Sequence, residues 1–337
     1  MKIELFDYSL PQSFIAQKPL KNRDNSKLLI LNRHQDGISH DIFSNLGDYL
    51  REGDVLVINE SRVRKCRLFG IKENTGASIE CFVLKKIMDN DYQVLLRPSK
   101  RLKPGDRVSI GKYYFEVISK QGHGKAVIRF SASADIIFEE FGEMPLPPYI
   151  RGRDFKDSRY QTIYAADEGS AAAPTAGLHF TEELMDSLKD KGIAIARLQL
   201  NIGLDTFRPI SVGSIEDHRM HREYYYIRGT QAEIINRAKQ SGGRVIAVGT
   251  TTVRVLETLM QKYGKIKQFS GYTGIYIYPP FRFRIVDSII TNFHLPRSTL
   301  LVMVSAFAGR KELLHAYEEA KENNYRFYSF GDCMLIK

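Results

Sequence analysis

The sequence predicts an α/β protein, a mixed sheet covered by helices and interrupted by an inserted small β-barrel. Three observations carry that expectation. The beginning and the second half of the chain alternate apolar, strand-like runs with stretches of helical spacing, the pattern of a sheet with helices on both faces. Residues 61–147 instead hold short alternating strands separated by turn residues, with no helical stretch between them. The β-α-β pattern then resumes. The strand-rich part therefore reads as an insertion, giving a discontinuous α/β domain of residues 1–60 and 148–337 around a barrel of residues 61–147.

Taken in order, KLLILN at residues 27–32 is a first strand. Apolar residues at Ile42, Phe43, Leu46, Tyr49 and Leu50 have helical spacing, and Gly53-Asp54 introduces VLVIN, a run of the kind buried on both faces of a sheet. In the insertion, Asn74-Thr75-Gly76, Pro104-Gly105-Asp106 and Gly122-His123-Gly124 are turns between runs such as SIECFVLKK and YYFEVIS. MPLPPYI, residues 144–150, is a return linker stiffened by its prolines. Thr181 caps a helix over 182–191, with Glu182 and Glu183 in its first turn, an apolar stripe of Leu184, Met185 and Leu188, and Gly192 as its stop. IAIARLQLNIG is a strand, Thr230 caps a helix over 231–240, and RVIAVG is a buried strand. A helix over 253–263 ends at Gly264. GYTGIYIY and RIVDSII are strands, an apolar helix follows Ser298, and an amphipathic helix over 311–322 leads to the closing YRFYSFGDCMLIK.

Composition narrows the function classes. With 337 residues, 43% hydrophobic and 26% charged, the chain can bury a sizeable core and is not a disordered one. No apolar run reaches the length of a membrane span, and MKIELFDYSLPQSFIAQ lacks the apolar centre of an export signal, so a cytoplasmic location is expected. Cys66, Cys81 and Cys333 are too few and too scattered for a disulfide framework or a zinc knuckle, and read as reduced thiols. The net charge of +10 is segregated: residues 62–129 hold 16 Lys and Arg against 6 Asp and Glu, which accounts for all of it. Contact with a phosphate backbone is one reading of that segment; the other is a set of solvated strand faces whose lysines guard exposed edges.

In open α/β sheets ligands lie off the carboxyl ends of the strands. Three loops there draw attention. GSAAAPTAGLHFT, residues 169–181, combines small residues that admit a ligand to the main chain with His179 beside a helix start. RVIAVG runs into Gly249-Thr250-Thr251-Thr252, behind which Arg254 and Glu257 stand three apart on one helical face. RIVDSII runs into Thr291-Asn292-Phe293-His294, with Asp287 inside an apolar strand, where an acid needs a partner or a raised pKa. Singly, the first reads equally as a small-residue turn with a hydrogen-bonded histidine, and the other two read more readily as helix caps, an intrahelical ion pair or a satisfied core histidine; together, they point to one site. His218 and His221 near Glu223 have two imidazoles three apart but no third ligand, so no metal is expected. Neither GxGxxG nor GxxxxGK[ST] is present, which weakens ordinary NAD and ATP readings.

Longer runs carry a resemblance. FDYSLPQSFIAQKP, MPLPPYI, RYQTIYA, GSAAAPTAGLHFT, HRMHREYY, AVGTTTVRVLET, VDSIITNFHLPRSTLLVMVSAFAG and YRFYSFGDCMLIK, in this order and nearly end to end, resemble the S-adenosylmethionine:tRNA ribosyltransferase-isomerases of queuosine biosynthesis. The resemblance implies an α/β domain interrupted by a β-barrel. It also implies transfer of the ribosyl part of S-adenosylmethionine to 7-aminomethyl-7-deazaguanine at the tRNA wobble position, giving epoxyqueuosine, adenine and methionine. S-adenosylmethionine is then a donor substrate and no prosthetic group is implied; the partner is the tRNA anticodon region, with no membrane, and the protein acts as a monomer.

For that chemistry, His179 or His294 is expected to transfer protons and Arg254 to orient Glu257, with Asp287 a further titratable candidate. Tyr160, Gln161, Thr175, Gly177, Gly249, Thr250, Thr251, Thr291 and Asn292 are expected to hold the donor, and Arg62, Arg64, Lys65 and Arg67, where the chain enters the barrel, to contact RNA. Two positions depart from the family pattern LHVGxGTF: residues 200–207 read LNIGLDTF, with Asn201 in place of a histidine and Asp205 in place of a glycine. No catalytic role falls to Asn201. Two competing classes are another S-adenosylmethionine enzyme, such as an RNA methyltransferase, and an RNA-binding protein without turnover.

Overall fold

The computed structural model describes every residue except 34–36, 204, 205, 207 and 208. Asp205 therefore lies outside the described residues. The chain forms two compact units, Met1–Arg62 with Pro147–Lys337, and Val63–Leu146. In chain order the strands are β1 (Lys27–Leu31), β2 (Ile38–Ile42), β3 (Val55–Asn59), β4 (Arg62–Val63), β5 (Arg67–Lys72), β6 (Ser78–Met88), β7 (Asp91–Arg97), β8 (Arg107–Ile110), β9 (Tyr113–Gly122), β10 (Lys125–Phe130), β11 (Glu168–Ser170), β12 (Ala194–Leu200), β13 (Glu223–Ile227), β14 (Val245–Val248), β15 (Phe269–Thr273), β16 (Ser288–Asn292) and β17 (Cys333–Ile336). The α-helices are α1 (Ala134–Phe141), α2 (Glu182–Asp190), α3 (Gly229–Gln240), α4 (Thr250–Tyr263), α5 (Thr299–Ala308) and α6 (Arg310–Glu322).

A nine-stranded mixed sheet, in the order β15-β13-β12-β3-β14-β16-β17-β1-β2, forms the larger unit. Its centre follows from VLVIN, whose five residues are all buried. Alternate side chains leave opposite faces: Val55 and Val57 join one core with residues of α3, α4, α5 and α6, while Leu56 and Ile58 join another with Phe43, Leu46 and the α2 residues Leu184, Met185 and Leu188. Each such side chain, fully withdrawn from water, contributes about 1.5–3 kcal/mol. Strands β12, β3, β14 and β16 are mutually parallel, so their carboxyl ends, at Leu200, Asn59, Val248 and Asn292, lie along one edge of the sheet. That edge holds the site.

The smaller unit is a closed barrel, β10-β7-β6-β5-β8-β9, which leaves no unpaired edge, together with the helix α1 that the sequence pattern did not reveal. Part of its positive charge is paired within the unit. Lys72 pairs with Asp106 at 2.7 Å with both residues buried, Arg67 with Glu80 at 2.7 Å, Arg129 with Asp91 at 2.6 Å and Arg107 with Glu116 at 3.5 Å.

Several local expectations need correction. Phe43–Tyr49 is a 3-10 segment, because Ser44, Asn45, Gly47 and Asp48 are poor interior helix residues. Helix α3 starts at Gly229 behind Arg228, not at a Thr230 cap, and α4 starts at Thr250. Strand β16 begins only at Ser288, so Asp287 stands outside it, at its amino end and far along the strand from His294. There the carboxylate accepts from Lys239 Nζ at 2.7 Å and from the Val245 N–H at 2.8 Å, tying α3 to the start of β14. Asp287 is a structural group, partnered where it is half-exposed.

Candidate active site

Three loops at the carboxyl edge line an open cleft, whose empty space of about 630 Å³ includes its solvent-filled mouth. One wall is Ala173–Ala176, one is Gly249–Thr251 and one is Thr291–Leu295. Each loop has a local cause. Gly249 has φ 86° and ψ 153°, a conformation that only glycine takes without strain, and its N–H donates to Ile290 O at 2.8 Å, tying the end of β14 to β16. The Thr252 hydroxyl donates to Val248 O at 2.8 Å and closes the turn into α4. Pro174 starts the 3-10 turn Thr175–His179, after which Thr181 caps α2, its hydroxyl accepting from the Leu184 N–H at 3.2 Å.

No charged side chain occurs among the described residues that line the cleft. Hydroxyls dominate instead: Thr175, Thr206, Thr250, Thr251, Thr291, Ser298, Ser329 and the tyrosines Tyr149 and Tyr328. Asn292 is 2% exposed. Its Nδ2 donates to His179 Nε2 and to Tyr328 O, each at 3.1 Å, which leaves Oδ1 buried with no partner in the protein. A buried orphan acceptor on a cleft wall is a ready place for a ligand donor. Because His179 Nε2 accepts from Asn292, its proton sits on Nδ1 and is donated to Ser26 Oγ at 2.7 Å. Burial, then the charges of Arg326 and Arg23, pull the His179 pKa down to about 3. His294, on the cleft wall, meets Thr291 Oγ1 through Nε2 at 2.8 Å, and its main-chain N–H donates to Tyr317 Oη at 2.9 Å. Burial pulls its pKa to about 3 as well. Both imidazoles are neutral at pH 7, so the cleft presents no fixed cation to an incoming ligand.

Residues 3–336 match the family model described as "Queuosine biosynthesis protein". The chain belongs to that family. It is 50% identical over 340 residues to the S-adenosylmethionine:tRNA ribosyltransferase-isomerase of Staphylococcus haemolyticus and 49% identical to that of Staphylococcus aureus, covering 100% of each chain in both pairings. A crystal structure titled S-adenosylmethionine tRNA ribosyltransferase from Thermotoga maritima is 35% identical, with a TM-score of 0.58 over 99% of this chain and 100% of that one. The sheet interrupted by a barrel is thus the fold of the family, and the chain belongs to a family of enzymes.

Of the residues expected from the family motifs, Thr175, Gly249, Thr250, Thr251, Thr291, Asn292 and His294 line the cleft, and His179 stands directly behind Asn292. Others are elsewhere. Gly177 does not meet the cleft; a Cβ there would overlap the Tyr164 hydroxyl, so packing demands the glycine. Tyr160 is fully buried, with its ring 5.8 Å from that of Phe330, and neither it nor Gln161 lines the cleft. Glu257 is 1% exposed and accepts main-chain N–H groups from Arg284, Ile285 and Val286 at 2.9–3.2 Å, pinning the segment before β16. Burial raises its pKa against those hydrogen bonds.

Arg254 does not orient Glu257. It reaches across to Glu223 on β13, which helical spacing alone could not foretell. Glu223 also accepts from the Gly203 N–H at 2.8 Å and from the Thr206 hydroxyl at 3.1 Å, and His221 Nε2 lies 2.9 Å away. Burial would raise the Glu223 carboxyl, but His221, Arg254 and the Gly203 N–H together hold it below its ordinary value. This buried network supports Thr206 on the cleft wall. Its signal in the sequence is an acid at the start of the apolar strand EYYYI. Tyr149, Tyr328, Ser329 and Thr206 carry no comparable mark in the sequence, Ser298 is marked there only as a helix start, and only the structure brings all five to the cleft.

Where the chain enters the barrel, Arg62 donates to Ala165 O and Ala166 O, Arg64 pairs with Asp135 over the Phe138 ring, and Arg67 pairs with Glu80, while Lys65 is exposed. Arg64 and Arg67 are thus each paired with an acid while staying partly exposed. The Asn201 amide lies where a side chain on Gly169 would meet it at 2.6 Å, and it does not line the cleft. Among the described residues no group of three His, Cys, Asp or Glu side chains is placed to hold a metal; the His218 ring packs on Tyr276 at 5.3 Å.

Proposed function

We propose that this member of the family transfers and isomerises the ribosyl part of S-adenosylmethionine onto the aminomethyl group of 7-aminomethyl-7-deazaguanine at the tRNA wobble position. The products are epoxyqueuosine in the tRNA, adenine and methionine. S-adenosylmethionine is consumed as a substrate, and the enzyme works as a cytoplasmic monomer without a prosthetic group. The observation that carries the reading is the uncharged, hydroxyl-rich cleft built from three family motifs at the carboxyl edge of the sheet. A sulfonium donor brings its own positive charge, and a lining without Lys, Arg or imidazolium does not repel it. A ribose brings hydroxyls, and threonines and free main-chain N–H groups at the start of α4 can meet them.

Within this reading the sulfonium acidifies the neighbouring ribose C5′ protons, and neutral His294 accepts one of them, with Thr291 fixing the ring. Its low pKa makes it a weak base in the empty cleft, so the step leans on acidification by the donor. Asn292 Oδ1 accepts a hydrogen bond from an adenine amino group or a ribose hydroxyl. His179 does not touch the donor; it holds Asn292 in place. Thr250 and Thr251 hold the ribose from the opposite wall.

The test is incubation of the protein with S-adenosylmethionine and tRNA carrying 7-aminomethyl-7-deazaguanine, followed by mass analysis of the nucleosides and of the small-molecule products. Epoxyqueuosine with stoichiometric adenine supports the reading. S-adenosylhomocysteine with a methylated nucleoside would replace it with RNA methylation, and tight tRNA binding without turnover would leave an RNA-binding protein.

A further inference from the structure

A second, smaller pocket adjoins the cleft and has the opposite electrostatic character. It holds about 290 Å³ of empty space and is lined by Arg23, Arg159, Arg326, Ser26, His179 and Ser329 among others, with no Asp or Glu among its lining residues. Ser329 lines the cleft as well, where its hydroxyl meets that of Tyr149 at 2.7 Å. His179 forms the other link, lining this pocket while its Nε2 meets Asn292 on the cleft wall.

The arginines are built into the fold. Arg23 donates to Leu178 O and Ser158 O, each at 3.1 Å, and Arg159 donates to Leu20 O at 2.7 Å and Lys21 O at 2.9 Å. Each thus ties the other's segment of chain. Arg159 Nε is buried with no partner. Arg326 is matched by Asp332 at 3.1 Å, but no carboxylate among the described residues pairs with Arg23 or Arg159. The two guanidiniums repel, and with burial as the larger cause Arg23 is pulled down to about 10. Two half-buried like charges fixed side by side, with spare donors, are stabilised by an anion between them.

We propose that Arg23, Arg159 and Arg326 form an oxyanion subsite that grips a backbone phosphate of the tRNA beside the nucleotide entering the cleft. The assignment rests on the reading of the protein as a tRNA-modifying enzyme. The pocket is the smaller of the two, and its lining offers guanidinium donors where the cleft offers hydroxyls. The forked guanidinium geometry matches a phosphate, and a cationic rim next to an uncharged cleft separates the polyanionic substrate from the cationic donor.

The experiment measures binding of tRNA bearing 7-aminomethyl-7-deazaguanine, and separately of S-adenosylmethionine, over a salt series. It compares the wild-type protein with Arg159→Gln, the double variant Arg23→Gln/Arg159→Gln and the charge-preserving Arg159→Lys. The glutamine variants are expected to bind tRNA about tenfold more weakly per arginine, with the slope of log K against log[salt] shallower by about 0.7–0.9 for each phosphate no longer neutralised. Arg159→Lys restores the slope, and S-adenosylmethionine affinity does not change. A folding defect would lower the active fraction but leave the slope alone, so the slope decides. An unchanged slope in the glutamine variants overturns the assignment, and so does a weakened S-adenosylmethionine affinity with intact tRNA binding, which would give the pocket to the donor's carboxylate. If the wild-type protein itself binds no tRNA, the functional reading falls together with it.

Discussion

Replacing Asn292 by alanine tests the join between the cleft and the histidine behind it. The side chain is 2% exposed, and its Nδ2 serves two buried acceptors, His179 Nε2 and Tyr328 O, each at 3.1 Å. Truncation strands both acceptors and opens a small void. At about 1–3 kcal/mol for each of the two buried groups left unsatisfied, the variant should lose roughly 2–6 kcal/mol of stability. It also removes Oδ1, the proposed acceptor for the donor, so S-adenosylmethionine affinity should fall at least about tenfold, a difference of about 1.4 kcal/mol. Urea unfolding and calorimetric titration read the two losses separately. His179→Ala/Asn292→Ala should lose less stability than the two single changes added, because the pair shares one hydrogen bond. Wild-type affinity in Asn292→Ala, or strictly additive stability losses, would refute this account of the pair.

Three further outcomes follow from the same geometry. Glu257→Gln removes the charge that gathers three main-chain N–H groups before β16, so it should cost about 1–3 kcal/mol in unfolding experiments while S-adenosylmethionine affinity stays at the wild-type value; an affinity loss would return Glu257 to the site. Gly177→Ala drives a methyl group into the Tyr164 hydroxyl and should destabilise by about 1–3 kcal/mol, and a variant as stable as the wild type would contradict the packing role. His179 and His294 have folded pKa values of about 3 against an ordinary 6.5. Between those values the unfolded chain binds more protons, so the stability from each is complete above pH 6.5 and is lost on acidification, by up to about 1.4 kcal/mol per pH unit. Ring proton shifts of both residues should therefore stay constant from pH 8 to about pH 5, and a titration near pH 6.5 would show that the rings are not sealed from water.

The architecture is legible because its signals are local and strong. VLVIN, IAIARL and RVIAVG are too continuously apolar for a half-solvated strand, and they form the parallel centre of the sheet. The closely spaced turns between residues 70 and 125 mark the barrel. The Thr181 and Ser298 caps and the Gly264 stop appear as the residue types require. Half of the site is equally legible, since strand-to-helix junctions in such sheets face one edge, and the Gly249, Thr250 and Asn292 loops do meet there.

What fails to read depends on partners distant in sequence. Arg254 and Glu257 share a helix at ion-pair spacing, yet each finds a stronger buried partner: Glu223 on a neighbouring strand for the arginine, and a fan of backbone donors for the acid. Asp287 resembles a buried acid because two apolar residues, Ile285 and Val286, precede it before the strand begins at Ser288. The acids that meet Arg64, Arg67 and Arg129 come from other strands or from α1, so the sequence does not show which basic residues of the barrel are paired. Meanwhile Arg23 and Arg159 lie in segments with no distinctive pattern, and only the fold brings them to one pocket.

Whether the uncharged cleft at the carboxyl edge holds the sulfonium donor is decided by a crystal structure of the protein with S-adenosylmethionine bound. The ligand should lie between Gly249–Thr251 and Asn292, with a donor group of the ligand within about 3 Å of Asn292 Oδ1 and the ribose C5′ near His294. A ligand bound outside these three loops, with the cleft still empty at saturating concentration, would contradict the account.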